Sequence, residues 1–600
     1  MSSTATAQSA YPIDLCRLDL GQRIYAALAQ LLPPDQLPSL PAASIAQLLE
    51  EPPEKAMGDY ALPCFRFAKE LKLKPQDIAA TLASSLNAAP GGWLAAAQVV
   101  GAFLNLRTDK QLLATTVVPQ VLSGAAFIIP ATKGGGTPAR VMIEYSQPNT
   151  HKEFHVGHSR NVCLGNSLVK MYRYCGYDVV SANYFGDEGT HIATVLSYMM
   201  RHKLQAPNEQ RSEWLGKLYV AAKSELAAAT PAAKQEIIGA ISAVHSQIES
   251  KQGDTYDLWT QTRQWSLDDF AATYAWLDVH FDVLFYESEV AASAQKIVQE
   301  YLDKDIFKSD QGAIGVDLKQ YKLGFCILRK SDGNSLYATK DLALARKKFE
   351  DFHIDRNIYV VADEQNHHFR QVFKVLELMG FEQAKQCHHL SYGMVVLPEG
   401  KMSSRDGTAV SFNDLRQVML SRINEILAKY ADQWSAAEIA TTAHQLCDGA
   451  IKYGMVSTDP AKEIIFNLDD WLSFEGQSGP YLMYSYARTR SILRKAADQG
   501  YLPGPTSAAA LTEGSEHELL RSLFDFNRVV AVACESCKPS VLAAHLYDMC
   551  KSFNRFYVDV PVLKAEHATQ RSARLALTAA FSLTLKQGLA LLGMQPPERM

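Results

Sequence analysis

Residues 152–160, KEFHVGHSR, place two histidines three residues apart with a glycine directly before the second. The apolar spacing that follows predicts a helix, and a helix N-terminus offers partial positive charge and free N–H groups to a phosphate. The N–H groups of His155 and His158 would stabilise negative charge on a leaving pyrophosphate, and Gly157 would let a flat ring approach the backbone. The alternatives are a metal site, for which two histidines alone are a poor ligand set, and an ordinary surface loop.

A second segment with phosphate-binding chemistry is PEGKMSSRDGTAV, residues 398–410. It follows the strand-like run LSYGMVVL and combines Lys401, Arg405, two hydroxyl groups and two glycines in a short loop. On its own the segment could equally be a solvated turn. Two such loops, far apart in sequence, can meet across the switch point of a doubly wound sheet, where these folds bind nucleotides.

The elements around the two histidines predict a parallel sheet. The run RVMIEYS predicts a strand, residues 159–175 a helix and YDVVSANYFGD a second strand, which together form the repeating unit of such a sheet. A helical region follows from about residue 196 to 281, and the strand-like runs GFCILRK, NIYVVADEQ and LSYGMVVLP are expected to complete the sheet. From SFNDLRQ onward nearly everything has the pattern of amphipathic helix.

These patterns predict an α/β protein in three parts. Residues 1–125 are expected to form an N-terminal α/β domain and residues 416–600 an all-α helical bundle. Residues 126–415 are expected to form a doubly wound, Rossmann-type parallel-sheet catalytic domain with a mostly helical insertion at about 195–320. The net charge of -5 argues against a protein that holds polyanions by bulk charge, so any nucleic-acid contact must be local.

The ten cysteines are scattered at uneven spacing, which indicates reduced thiols and a cytoplasmic location. Cys534 and Cys537 are close in sequence, but no second CxxC or nearby histidine accompanies them, so packing is favoured over zinc and we predict no structural metal. The N-terminal residues lack the pattern of a secretory signal, and no apolar run is long enough for a membrane span.

HVGH and KMSS, in this order, resemble the HIGH and KMSKS motifs of class I aminoacyl-tRNA synthetases. The surrounding segments EYSQPNTHKEFHVGHSRN, YFGDEGTHIA, LYATKDLALA, YVVADEQNHHF, WLSFEGQSGPYLMYSYAR and the ending PPERM resemble arginyl-tRNA synthetases, as does GDYALPCFRFAKEL in the N-terminal part. The resemblance spans nearly the whole chain. It implies activation of L-arginine by ATP, bound with Mg²⁺, to arginyl-adenylate and pyrophosphate, followed by transfer to the 3′ end of tRNA(Arg).

The resemblance also implies functional residues. For catalysis they are Lys152, His155, His158 and Lys401, and for ATP binding His155, Gly157, His158, Lys401, Met402, Ser403, Ser404 and Arg405. For arginine they are Glu144, Asn149, His155, Glu287, Tyr337, Asp341 and Gln365, and for tRNA Asn105, Tyr484, Arg488 and Met600. The carboxylates fit the chemistry, because a guanidinium pairs with them in a planar, bidentate way. For Asp341 the alternative is a helix N-cap, and for the tyrosines it is packing in the core.

One position departs from the general motif, because Ser404 stands where KMSKS has its second lysine. Lys152, three residues before His155, is the candidate to supply that charge. Asp406 is a further departure that lowers the positive charge of the loop. Two alternative functions stay open: a catalytically silent, synthetase-like tRNA-binding protein, and a small-molecule nucleotidyltransferase or ligase of the HxGH superfamily. We expect a monomer with no membrane partner.

Overall fold

The structure is a computed structural model that describes residues 12–31, 41–127, 137–331, 336–397, 400–401 and 410–600. The N-terminal elements are α1 (Pro12–Leu31), α2 (Ala42–Gln47), β1 (Tyr60–Pro63), α3 (Ala68–Leu71), α4 (Pro75–Ala88), β2 (Leu94–Val100), β3 (Phe103–Thr108) and α5 (Lys110–Leu122). The strands form an antiparallel sheet in the order β1–β3–β2. Helix α4 begins at a proline, whose fixed φ suits the first helical position, and buries Ile78, Leu82 and Leu86 at four-residue spacing.

The central part alternates strands and helices. Its elements are β4 (Arg140–Glu144), α6 (Val156–Tyr174), β5 (Asp178–Phe185), α7 (Thr190–Arg201), α8 (Arg211–Ala228), α9 (Pro231–Glu249), α10 (Asp254–Trp276), β6 (Val283–Tyr286), α11 (Glu287–Asp303), β7 (Lys308–Asp310), β8 (Ala313–Asp317), β9 (Phe325–Arg329), α12 (Tyr337–Phe352), β10 (Arg356–Ala362), α13 (Asn366–Leu378), β11 (Cys387–Tyr392), β12 (Val395–Leu397) and β13 (Gly400–Lys401).

Five of these strands form a parallel sheet in the order β11–β10–β4–β5–β6. Along the chain the sheet grows from β4 through β5 to β6 on one side, and then from β10 to β11 on the other. The strand order therefore reverses between β4 and β10, and ligands bind beyond the carboxyl ends of strands at such a switch point. The predicted fold class, a doubly wound parallel sheet between an N-terminal α/β part and a C-terminal helical part, is confirmed.

One strand assigned to this sheet lies elsewhere, and one strand of the sheet was not predicted. The run GFCILRK forms β9 in a separate antiparallel sheet in the order β7–β8–β9, and it does not join the central sheet. The strand at the edge of the central sheet is β6, VLFY, which lies inside the stretch of about 195–320 that was expected to be a mostly helical insertion. An apolar run of this kind predicts an extended segment but carries no information about which strand it pairs with.

The C-terminal part is almost entirely helical. Its elements are α14 (Phe412–Leu427), α15 (Ala436–Val456), β14 (Ile464–Ile465), α16 (Leu468–Leu472), α17 (Gly479–Asp498), α18 (Gly514–Glu535), α19 (Pro539–Asp559) and α20 (Ala568–Leu591). The short strand β14 pairs with β12 and so ties this part to the central one. Among the helices described here, none has the length and apolar character needed to cross a bilayer.

The N-terminal part packs against helix α18 of the C-terminal part. The rings of Trp93 and Phe524 lie 5.5 Å apart between centroids, and the Arg521 guanidinium lies 3.6 Å from the Asp59 carboxylate. A single cluster of buried apolar residues runs from Cys16 through the central sheet to the C-terminal helices. The three parts of the chain therefore share one continuous core.

Candidate active site

The loop after β4 has an unusual backbone conformation. Ser146, Gln147 and His151 have φ values of 80°, 44° and 60°, a region that costs a residue other than glycine about 1 to 3 kcal/mol. Hydrogen bonds hold this conformation: the Ser146 N–H donates to Asn161 Oδ1 at 2.6 Å, and the Gln147 N–H donates to Asn183 Oδ1 at 3.0 Å. Helix α6 and strand β5 therefore fix the loop that leads to the histidine pair.

The two histidines form the N-terminus of α6. His155 is the N-cap: its Nδ1 accepts a hydrogen bond from the Gly157 N–H at 3.1 Å, and its own backbone N–H donates to His158 Nδ1 at 3.2 Å. The ring centroids lie 3.8 Å apart. Burial, together with the nearby charge of Lys152, lowers the pKa of His155 to about 4, and burial with the charges of His155 and Lys152 lowers the pKa of His158 well below its ordinary value.

Both imidazoles are therefore neutral near pH 7, and their tautomer follows from the geometry. Because each Nδ1 accepts a backbone hydrogen bond, the ring proton must reside on Nε2. Two Nε2–H donors stand without a ring charge at a helix N-terminus, where the helix dipole favours negative charge, and this is a favourable arrangement for binding phosphate.

The second predicted phosphate loop is attached beside the histidines. The Val156 N–H donates to the carbonyl of Val410 at 3.1 Å, the Phe412 N–H donates to the carbonyl of Phe154 at 3.0 Å, and His155 and Ser411 form an isolated β-bridge. Met402, Ser403, Ser404 and Arg405 lie outside the described residues. Lys401 is the last residue of strand β13, which pairs with β12. The structure describes the backbone of Lys401 but not its side chain.

A cavity of about 550 Å³ opens at the carboxyl ends of the strands. Its lining includes Glu144, Asn149, Lys152, Glu287, Tyr337, Asp341 and Gln365. Six of the seven residues predicted for arginine therefore line one cavity, together with Lys152. The seventh, His155, is not part of the lining and stands at the start of α6. The burial of Tyr184, another wall residue, and the charges of Asp341, Glu287 and Glu144 raise its pKa well above its ordinary value. The wall thus carries three carboxylates, together with the ammonium groups of Lys152, Lys223 and Lys348.

Helix α12 provides one wall of the cavity. Tyr337, Asp341, Leu344 and Lys348 are spaced three or four residues apart, so they share one helix face, and all four line the cavity. The carboxylate of Asp341 lies 2.5 Å from Nε2 of His368. Burial alone would lower the pKa of His368, but the hydrogen bond and the charge of Asp341 outweigh it and raise that pKa. Asp341 is thus inside the helix, four residues after its start, and is not an N-cap.

Lys348 forms a buried ion pair that the sequence analysis did not identify. Its ammonium lies 2.6 Å from the Glu144 carboxylate, and the Lys348 side chain has no exposed surface. The same ammonium lies 4.3 Å from the centroid of the Tyr359 ring. The sequence indicates this pair only through the position of Lys348, which lies on the same helix face as Leu344 and Asp341. A lysine on a buried face needs a partner of opposite charge. Lys348 fixes Glu144 beneath the cavity.

Lys340 is a second cation that the sequence analysis did not identify. Its ammonium lies 2.7 Å from Glu188 and 3.1 Å from Glu287. Burial raises the pKa of Glu287 to about 7, although the charge of Lys340 and its hydrogen bond act to lower it. Glu287 is therefore about half ionised at neutral pH, in contrast to an exposed glutamate.

Lys152 lies between the histidine pair and the inserted helices. Its ammonium is 5.3 Å from the centroid of the Tyr219 ring on α8, and it lines the same cavity as Asp341. Its charge contributes to the lowered pKa values of His155 and His158. Lys152 is thus near both the predicted phosphate donors and the cavity.

Three of the four residues predicted to contact tRNA lie together in the C-terminal part. Tyr484, Arg488 and Met600 line a cavity of about 510 Å³. The Arg488 guanidinium lies 4.8 Å from the Tyr484 ring centroid and donates to the Tyr484 hydroxyl at 3.1 Å. Tyr486, two residues further along the same helix, is buried, and its hydroxyl donates to Glu598 Oε1 at 2.8 Å.

Asn105, the fourth residue, lies far from this surface in strand β3. Its side chain is 3% exposed and donates to the carbonyl of Met57 at 3.2 Å. This geometry gives Asn105 a role in holding its own sheet, and it does not favour a direct contact with a partner. In the described part of the chain no three His, Cys, Asp or Glu side chains are arranged to hold a metal ion.

Comparison with protein-family models agrees with this fold and site. The model for "tRNA synthetases class I (R), catalytic domain" matches residues 124–468, the "Arginyl tRNA synthetase N terminal domain" matches residues 19–108, and the "DALR anticodon binding domain" matches residues 482–600. Because the first model alone covers more than half of the chain, the central part is the catalytic domain of a class I aminoacyl-tRNA synthetase.

Individual relatives make the assignment more specific. The arginine–tRNA ligase of Bdellovibrio bacteriovorus is 43% identical over 93% of this chain and 94% of its own length, and that of Clostridioides difficile is 34% identical over 94% and 98%. The arginyl-tRNA synthetase structure of Thermus thermophilus superposes with a TM-score of 0.78 at 27% identity, covering 97% of this chain and 100% of the other. The chain belongs to the arginyl-tRNA synthetase family.

Proposed function

We propose that this protein ligates L-arginine to tRNA(Arg) in two steps, with the Mg²⁺ complex of ATP as co-substrate. In the first step a carboxylate oxygen of arginine attacks the α-phosphorus of ATP and pyrophosphate leaves; in the second a hydroxyl at the 3′ end of the tRNA attacks the carbonyl carbon of the arginyl-adenylate, and AMP leaves. The observation that carries the proposal is the neutral pair His155 and His158, with Nε2–H donors at a helix N-terminus, beside a cavity lined by the carboxylates of Glu144, Glu287 and Asp341.

For the activation step we assign phosphate binding to His155, His158 and the N-terminus of α6, with Gly157 leaving room for the adenine. We assign additional positive charge to Lys152 and, on sequence grounds alone, to Lys401 and Arg405, with Met402, Ser403 and Ser404 as further contacts to ATP. Donors and cations aimed at the leaving pyrophosphate act more strongly in the transition state than in the ground state, which is what raises the rate.

For the choice of amino acid we assign the guanidinium to Asp341 and Glu287, with Tyr337 at the rim of the cavity. Glu144, Asn149 and Gln365 line the same cavity and are proposed to bind the rest of the substrate. A pocket that pairs a buried guanidinium rejects amino acids that lack one by a factor on the order of 10⁴, since the unpaired carboxylates would be costly.

For the tRNA we propose that each of the three parts predicted from the sequence has its own role. Residues 416–600 would read the anticodon through Tyr484, Arg488 and Met600, residues 126–415 would carry the catalysis, and residues 1–125 would contact the tRNA elsewhere. The proposal is supported by an exposed ring and a cation lining one cavity, the combination that binds unpaired bases and phosphates.

The central test is ATP–pyrophosphate exchange with each of the twenty amino acids, with and without tRNA, followed by charging of tRNA(Arg). Of the twenty amino acids, we expect only arginine to support exchange. Binding of tRNA without any exchange would favour the silent synthetase-like protein, and exchange with a small carboxylic acid but no charging would favour the nucleotidyltransferase. Sedimentation of the purified chain checks the proposed monomer, and cell fractionation checks the proposed cytoplasmic location.

The ionisation of Glu287 predicts a pH dependence of arginine binding. With a pKa of about 7, Glu287 gains a proton as the pH falls, and its ionised fraction drops from about one half at pH 7 to about one eleventh at pH 6. The arginine KM is therefore expected to rise about fivefold between pH 7 and pH 6, while the ATP KM changes little. In Glu287→Gln the KM should be higher throughout and lose this step; a step of unchanged size in that variant would assign it to another group.

The exposed ring of Tyr484 predicts a loss specific to tRNA. Because stacking on an aromatic ring contributes about 1 to 3 kcal/mol per base, Tyr484→Ala is expected to lower kcat/KM for tRNA about tenfold in charging assays, with the arginine KM unchanged. Tyr486→Phe is the matched control on the same helix, since its ring is buried and should affect charging less than twofold. Equal losses in the two variants would contradict the assignment of the tRNA surface.

A further inference from the structure

The ammonium of Lys340 is shared between two carboxylates. It lies 2.7 Å from Oε2 of Glu188 and 3.1 Å from Oε1 of Glu287, and all three side chains are at most 11% exposed. Burial lowers the pKa of Lys340, but the charges of Glu287 and Glu188 outweigh it and the pKa is raised. Lys340 is thus a permanent positive charge in contact with a wall of the substrate cavity.

The charges of this group do not balance. Two carboxylates face one ammonium, so one negative charge is left over if both carboxylates are ionised. The neighbouring Asp187 does not change this count, because its carboxylate pairs with Arg263 at 2.7 Å and accepts hydrogen bonds from the backbone and hydroxyl of Ser288. A ligand with a single positive charge would give the group two positive and two negative charges. Each buried ion would then have a partner of opposite charge, which buried ions require.

Other titratable groups also face Glu287. Tyr184 on β5 and Tyr337 on α12 lie close enough for its charge to raise their pKa values, in each case after the larger effect of burial. A second cavity of about 520 Å³ behind Glu287 is lined by His245 and Glu249 of α9 and by Lys330. Within the described residues the cation paired with Glu287 is Lys340, and after the larger effect of burial it has the strongest influence on the pKa of Glu287, which it lowers.

We propose that Lys340 is a positioning residue that sets the charge selectivity of the amino-acid site. Shared between Glu188 and Glu287, it favours the ionised form of Glu287, fixes the orientation of that carboxylate toward the cavity, and leaves one negative charge to be matched by a single positive charge on the ligand. Glu188 acts in the opposite direction, because it competes with Glu287 for the same ammonium. The inference rests on the proposed function and deepens it, since it names the source of the selectivity for a side chain with one positive charge.

The test compares the pH profile of the arginine KM in Lys340→Met with that of the parent protein. ATP–pyrophosphate exchange is measured with saturating ATP and tRNA from about pH 6 to pH 9. The arginine KM rises as the pH falls and Glu287 gains a proton. Without the ammonium, the pH at which this rise begins should move upward by about one unit or more, so that the KM at pH 7 is about fivefold higher. Lys340→Arg should restore most of the parent profile, and the ATP KM should stay within about twofold.

Two further variants separate this role from a loss of structure. Lys347→Met is the matched control, because Lys347 is exposed on the same helix and pairs with Asp351 at the surface; its profile should follow that of the parent. In Glu188→Gln the ammonium of Lys340 pairs with Glu287 alone, so the pH profile of the arginine KM should move to lower pH. Damage to the fold would not produce shifts in opposite directions.

The outcomes are distinct. A parent with arginine-dependent exchange and a Lys340→Met profile at the parent position would overturn the inference and leave the proposed function standing. If Lys340→Met cannot be purified, Glu188→Gln decides, because an unshifted or upward-shifted profile overturns the inference in the same way. A parent without arginine-dependent exchange would overturn the proposed function and the inference with it.

Discussion

Replacement of Asp341 by alanine is expected to raise the arginine KM by two to three orders of magnitude. Asp341 lines the cavity on the face of α12 that also carries Tyr337. Removing one partner from a buried charge pair costs about 3 to 5 kcal/mol, since the other partner is left uncompensated. The loss should appear in the arginine KM measured by ATP–pyrophosphate exchange, while the ATP KM stays within about twofold.

Two controls make the Asp341 result specific. Asp351→Ala removes an exposed carboxylate from the same helix, one that pairs with Lys347 at 2.6 Å, and is expected to leave the arginine KM unchanged. Asp341→Asn keeps the shape and a hydrogen-bond acceptor for His368 but removes the charge, so it should resemble the alanine variant. An arginine KM within about threefold of the parent in Asp341→Ala would place the guanidinium site elsewhere.

Replacement of Lys152 by alanine is expected to lower the rate of arginyl-adenylate formation by about 10² to 10³, a typical loss for one electrostatic stabiliser of a transition state. The ammonium of Lys152 lies near both histidines and lines the cavity, so it is placed to meet charge that moves onto the leaving pyrophosphate. The measurement is single-turnover formation of the adenylate at saturating ATP, arginine and tRNA.

The control for Lys152 is Lys217→Ala, which removes an exposed lysine that pairs with Glu213 on α8 and should not change the rate. Because Ser404 replaces the second lysine of the motif, the double variant Lys152→Ala with Ser404→Lys is expected to recover part of the activity. Position 404 lies outside the described residues, so this expectation is derived from the sequence alone. A parental rate in Lys152→Ala would refute the compensation.

The sequence was sufficient to predict the doubly wound sheet and the place of the histidine pair within it. Strand, loop and helix around residues 140–175 have clear periodicity, and the site lies where parallel sheets bind ligands. Strand β6 was not predicted and β9 was assigned to the wrong sheet, for one physical reason. Pairing between strands depends on contacts across long sequence separations, and four residues such as VLFY carry no local trace of their partner.

The side chains that support the site could not be predicted in the same way. Tyr484 and Tyr486 are two residues apart, so on a helix they point in nearly opposite directions, yet the sequence does not show which one faces the core. In the sequence, Lys340 and Lys348 cannot be distinguished from lysines on the surface. Their burial is made possible by carboxylates contributed by β4, α11 and the loop after β5. Such partners become visible only when the chain is folded.

The contact between Trp93 and Phe524 has a consequence for synthesis on the ribosome. The two residues are separated by roughly 400 positions, and chains grow at about 5 to 20 residues per second. The N-terminal part therefore emerges about 20 to 80 seconds before the helix that covers Trp93 has been translated. During that interval an apolar face remains open to water, and nascent chains of this protein should engage a chaperone until α18 leaves the exit tunnel.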